Sequence, residues 1–60
     1  MIIELTTCNG KKLLVNLDYL QTAREADNGH SYLEIDGYDH SVEVIQNIET
    51  IKRILLYENN

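Results

Sequence analysis

The sequence predicts an α+β domain: a small antiparallel sheet of about five short strands, followed by one C-terminal amphipathic helix packed on one face. Three features carry that prediction. Apolar and polar residues alternate with a period of two in separate runs. The turn sequences Asn9-Gly10, Asp27-Asn28-Gly29 and Asp36-Gly37 punctuate those runs. Between Val44 and Asn47 the apolar period lengthens to about 3.6, where sheet should hand over to helix.

The first run, Ile2–Thr6, places Ile3 and Leu5 on one face and Glu4 and Thr6 on the other, as a half-buried strand requires. Asn9-Gly10 then signals a hairpin, because both residue types tolerate positive φ. Lys12–Asn16 is the returning strand, with Leu13 and Val15 on one face and Leu14 on the other. At residues 16–20 the alternation breaks. Asn16 is suited to cap a single helical turn by accepting a hydrogen bond from the amide of Asp18 or Tyr19. Residues 21–26 have a helix-forming composition, and a helix over 17–26 would carry Leu17, Leu20 and Ala23 as its stripe. The turn at Asp27-Asn28-Gly29 favours an extended strand over residues 22–26 instead. Residues 30–35 and 38–44 form the clearest hairpin. A two-residue turn at Asp36-Gly37 would pair Ile35 with Tyr38, Leu33 with His40 and His30 with Glu43. Residues 47–57 complete the chain as a helix. Ile48, Ile51, Ile54 and Leu55 make its apolar side, Asn47 its N-cap, and Glu49 complements the positive helix start. Asn59 and Asn60 are expected to fray.

Sixty residues form one domain, 1–60, too small for a two-lobed catalytic cleft. Chains of this size bury only about 60% of their unfolded surface and often gain stability from self-association. A single cysteine, Cys8, cannot form an intramolecular disulfide, which points to a reducing cytoplasmic setting. The N-terminal residues lack a basic region followed by a long apolar run, so neither a signal peptide nor a membrane span is expected. Ten acidic residues against five basic ones give a net charge of −5, a field that repels phosphate backbones.

The side chains that could carry chemistry are scattered. Cys8 has no legible base or electropositive setting to activate it. His30, His40, Asp36 and Asp39 are the densest metal-capable group, but they follow no metal-ligand spacing, and the expected pairing separates the two histidines. Glu34, Asp36, Asp39 and Glu43 read as a solvated face, and Asn9-Gly10-Lys11 as a turn rather than a phosphate loop. No catalytic residue, metal or cofactor is predicted. Tyrosine offers an apolar face with a polar tip and is enriched at interfaces. Leu14, Tyr19, Tyr32 and Tyr38 are therefore the candidate partner-binding residues, rimmed by Glu34, Asp36 and Asp39.

Ile3-Glu4-Leu5-Thr6, Asn9-Gly10-Lys11, Val15-Asn16, Asp18 and Leu20, with the Gly-containing hairpin and terminal helix, resemble the FlbD/SwrD family of small flagellar and swarming-motility proteins, phage-encoded relatives included. The resemblance spans nearly the whole chain and implies a motility accessory role with no enzymatic step. Cys8, Leu17 and Ala23 depart from the family's pattern, where an apolar residue, proline and a larger aliphatic residue are usual. A weaker likeness joins residues 15–20 and the Asp36-Gly37 hairpin to LytTR-type DNA-binding domains, which are longer and basic. The expected function is a non-enzymatic protein-interaction module that binds a partner protein or a second copy of itself, giving a homo-oligomer. The rival is a phage-encoded acidic inhibitor that occupies the basic groove of a host enzyme or defence system.

Overall fold

In a computed structural model, which describes residues 1–58, the alternating runs form five strands: β1 (Ile2–Thr6), β2 (Lys12–Asn16), β3 (Leu20–Glu25), β4 (Ser31–Ile35) and β5 (Val42–Val44). A 3-10 turn at Leu17–Tyr19 joins β2 to β3, and helix α1 (Ile48–Glu58) follows β5. The expected fraying of Asn59 and Asn60 lies outside the described residues.

The strands do not form the single sheet expected from their number. β1 and β2 make one antiparallel hairpin, and β3, β4 and β5 a second antiparallel sheet in that order. Strand β5 has only three residues, too few to extend its pairing along β1. The sheets meet at one bridge, Thr7 with Val44, flanked by backbone bonds from Ile45 N–H to the Thr6 carbonyl and from Cys8 N–H to the Glu43 carbonyl. The side chain of Gln46 completes the seam, accepting the Thr6 N–H at 3.1 Å where a strand carbonyl would otherwise stand.

Two of the three tight turns share one design. At Thr7–Lys11 the Thr7 N–H donates to the Lys11 carbonyl and the Gly10 N–H to the Thr7 carbonyl. Ala26–His30 repeats the same two bonds one hairpin later. Each is a three-residue loop whose last position lies in the left-handed region, φ +86° at Gly10 and +87° at Gly29. Asn9 keeps a negative φ, so the turn is not the two-residue form in which both residues are left-handed.

The Asp36-Gly37 turn forms, with the Tyr38 N–H donating to the Ile35 carbonyl, but the register beyond it differs from expectation. Leu33 pairs with Val42 rather than His40, Tyr32 with Glu43, and Ser31 with Val44. Gly37 alone has positive φ, which places the left-handed residue third in the turn. A turn of that hand splays the strands it joins instead of following their twist. The chain therefore leaves β4 at Tyr38 and returns only at Val42, and the fifth strand is shorter than the alternating run that announced it.

Inward residues of both sheets build one core. Leu5, Val15, Leu33, Ile35 and Val44 are buried together with Ile51 of α1, and Ile3, Leu13, Leu20, Ala23, Val42, Ile54 and Leu55 pack against them. An irregularity between Leu20 and Thr22 keeps both Leu20 and Ala23 on the inner side of β3 despite their spacing of three. The 3-10 turn forms as its sequence directs, with the Asn16 side chain accepting the Asp18 N–H at 3.0 Å.

The helix start follows the same logic: the Thr50 N–H donates to Asn47 Oδ1 at 2.8 Å, taking up one of the first-turn amides that has no intrahelical acceptor. Asn47→Ala should cost about 1 kcal/mol, read as a lower urea midpoint with unchanged slope. A midpoint equal to that of the parent chain would show that the cap contributes nothing.

Candidate functional site

Among the described residues His30 and Glu43 form the closest ion pair. His30 Nδ1 lies 2.6 Å from Glu43 Oε2, and Asn28 Nδ2 donates to the same oxygen at 3.2 Å. The hydrogen bond from His30, then that from Asn28, holds the Glu43 carboxyl below its ordinary value. An ionised carboxylate only accepts, so Nδ1 carries the proton. The expected pairing set His30 directly opposite Glu43; the observed register makes them diagonal neighbours that still touch. Ser31, next in sequence, does not serve this pair as a nucleophile: it is fully buried with its hydroxyl donating to the Gln46 carbonyl at 2.8 Å. The pair instead ties the Asp27–Gly29 loop to β5.

That tie has a pH signature. A carboxylate whose folded pKa is depressed gives stability that is complete above the unfolded value and lost as pH falls through the folded one. On titration from about pH 6 to about pH 3, the parent chain should therefore lose more of its urea midpoint than Glu43→Gln does. Parallel losses in the two proteins would remove the assignment.

The candidate partner-binding residues do not share one patch. Leu14 is 67% exposed on the outer face of the first hairpin, opposite Glu4. Tyr32 is half-buried on the outer face of β4, with the Arg24 guanidinium 4.7 Å above its ring. Tyr19 and Tyr38 are exposed near the junction of the 3-10 turn with the end of β4, where the Asp36 N–H donates to the Tyr19 carbonyl at 2.7 Å. The acidic residues gather at that same end. Asp36 accepts from Gln21 Nε2, and Glu34 accepts from the Thr22 hydroxyl at 3.0 Å. Glu34, Tyr38, Asp39 and His40 line a shallow depression there. Among the described residues, no group of three or more histidine, cysteine or acidic side chains is placed to hold a metal ion, and no helix is long and apolar enough to cross a membrane.

A larger feature escaped the sequence reading. Between β3 and α1 runs an open groove of about 450 Å³, lined chiefly by Leu17, Leu20, Ala23, Ile48, Leu55 and Leu56, with Gln21, Thr22 and Lys52 along its margin. Its walls are 25 or more residues apart in sequence, so no local pattern announces it. One signal was present: Ile54-Leu55-Leu56 is a wider apolar run than a single helix face needs, and Leu56 is left 59% exposed. Set against models of protein families, against curated proteins and against solved structures, the chain finds no match.

Proposed function

We propose that the chain is a non-enzymatic protein-interaction module, acting through the surface around β3 and α1. The observation that carries this reading is the open apolar groove beside an edge strand. In so small a domain, apolar side chains left this accessible lower stability and solubility unless another surface covers them. The groove between β3 and α1 has the exposed Leu56 in its lining, while Tyr19 and Tyr38 add aromatic surface at the neighbouring end of β4. The resemblance to the FlbD/SwrD family, carried by residues between Ile3 and Leu20, the Gly-containing hairpin and the terminal helix, favours a bacterial motility apparatus as the setting of that interaction. The cluster of Glu34, Asp36 and Asp39 favours a second reading, an acidic inhibitor seated in a basic groove.

Site-specific photo-crosslinking in the cell of origin tests the reading. A photoreactive residue at Leu56, Tyr38 or Leu14 should give a discrete adduct with a second copy or another protein, whereas one at the exposed turn residue Lys11 should not. Adducts at none of the three apolar positions would overturn it. A nucleic-acid enzyme captured through Asp36 or Asp39, with binding weakened by salt, would transfer the assignment to the inhibitor.

A further inference from the structure

Resting on the interaction-module reading, we propose that the surface beside β3 is covered by a second copy of this chain, the two β3 strands pairing antiparallel about Ala23 to make a continuous six-stranded sheet. Strand β3 lies at the edge of its sheet. The bond from Ala26 N–H to the His30 carbonyl fixes which of its backbone groups are used, because hydrogen-bonded and non-hydrogen-bonded pairs alternate along an antiparallel ladder. Arg24 with Tyr32 and Thr22 with Glu34 are then the bonded pairs, and the N–H and C=O of Ala23 and Glu25 turn outward. Among the described residues these outward groups meet no hydrogen-bond partner. They form a template for another strand.

Self-pairing restricts the register. Residues facing each other in an antiparallel pair point to the same side of the sheet, so a two-fold axis must pass through a residue pair. Ala23 satisfies this with its free N–H and C=O, and its small side chain leaves room for the two helices to approach over the joint sheet. Thr22 then faces Arg24 of the second copy. Because the Thr22 hydroxyl already holds Glu34, that arginine arrives beside a carboxylate. Glu25 of the second copy comes opposite Gln21, the extra residue at the irregularity of β3, which donates to Asp36 and shares the groove margin with Lys52. The two-fold axis repeats both encounters, so the basic groups near β3 meet acidic groups of the other copy. This charge complementarity is what selects a second copy as occupant. The edge strand β2 carries only Lys12 as a charged residue, and pairing with itself would bring no opposite charge from that strand.

The experiment is a light-scattering concentration series on the full chain and on Lys52→Glu, Glu25→Lys and the double variant. Both single variants should weaken self-association about tenfold, and the double variant, which restores opposite signs across the interface, should return to within about threefold of the parent. Both positions, Glu25 and Lys52, are solvent-exposed, so folding should be unaffected, and circular dichroism checks it. Single variants that associate as the parent does, or a double variant that stays weak, would overturn the β3 interface. A dimer sensitive instead to Leu14→Ser would move the interface to β2 and leave the interaction-module reading intact. A parent chain that is monomeric at every concentration overturns the dimer. Cross-linked adducts with another protein would then preserve the broader reading, and their absence would end both.

Discussion

Leu33→Ala should leave the chain unfolded or nearly so at 25 °C, seen as collapse of amide dispersion in its NMR spectrum and loss of the thermal transition. Leu33 is fully buried at the centre of β4, the middle strand of the larger sheet, between Ala23 on β3 and Val42 on β5. Removing a buried leucine side chain costs about 2–5 kcal/mol, the transfer term plus that of the cavity left behind. A single core of this size rarely supplies more than about 3–5 kcal/mol, so one such loss is comparable with the whole stability. Leu14→Ala provides the contrast, since the same chemical change at a 67% exposed position should stay within about 0.5 kcal/mol. If Leu33→Ala kept its dispersion and melted within a few degrees of the parent, the buried cluster around Leu33 would not be what holds the fold together.

That contrast follows the part of the structure that local pattern makes legible. Ile3, Leu5, Leu13 and Val15 face inward as their period-two spacing requires, Leu14 faces outward, and Asn16 caps the 3-10 turn. Helix α1 begins at the residue after Asn47, as its capping chemistry dictates. Competition between local and tertiary terms decided the rest. Residues 20–25 could have been helix by composition, but as β3 they pair with β4, and Leu20 and Ala23 join the core from that strand. The hand of the Gly37 turn, invisible in the letters Asp-Gly, set the register of β5 and moved Leu33 from His40 to Val42. For the candidate site, exposure of Leu14, Tyr19 and Tyr38 was readable, whereas their dispersal over separate surfaces was not. The groove joins residues 17–23 to 48–56, a juxtaposition that depends on where the helix comes to rest.

Where the helix rests depends on Ser31, and Ser31→Val should be the next most damaging single change. Among the described residues Ser31 is the one polar residue buried outright, at a strand position that alternation alone would fill with an aliphatic side chain. Its hydroxyl donates to the Gln46 carbonyl at 2.8 Å, while the side chain of Gln46 accepts the Thr6 N–H and donates to the Thr6 hydroxyl at 3.4 Å. One residue pair thereby joins β4, the end of β1 and the entry to α1. Valine removes the donor, leaving a part-buried carbonyl unpaired at about 1–3 kcal/mol, and adds a methyl group to a site with no exposed surface, at about another 1–3 kcal/mol. Ser31→Ala bears only the first cost, so the difference between the two variants isolates the packing term. Because both Gln46 bonds reach Thr6, Ser31→Ala and Gln46→Ala should each lower hydrogen-exchange protection of the Thr6 amide, and their costs should combine to less than their sum. Thr6 protection unchanged in Ser31→Ala would separate the two contacts. The serine would then be a local feature of β4, and the position of α1 would rest on Ile51 and its apolar neighbours alone.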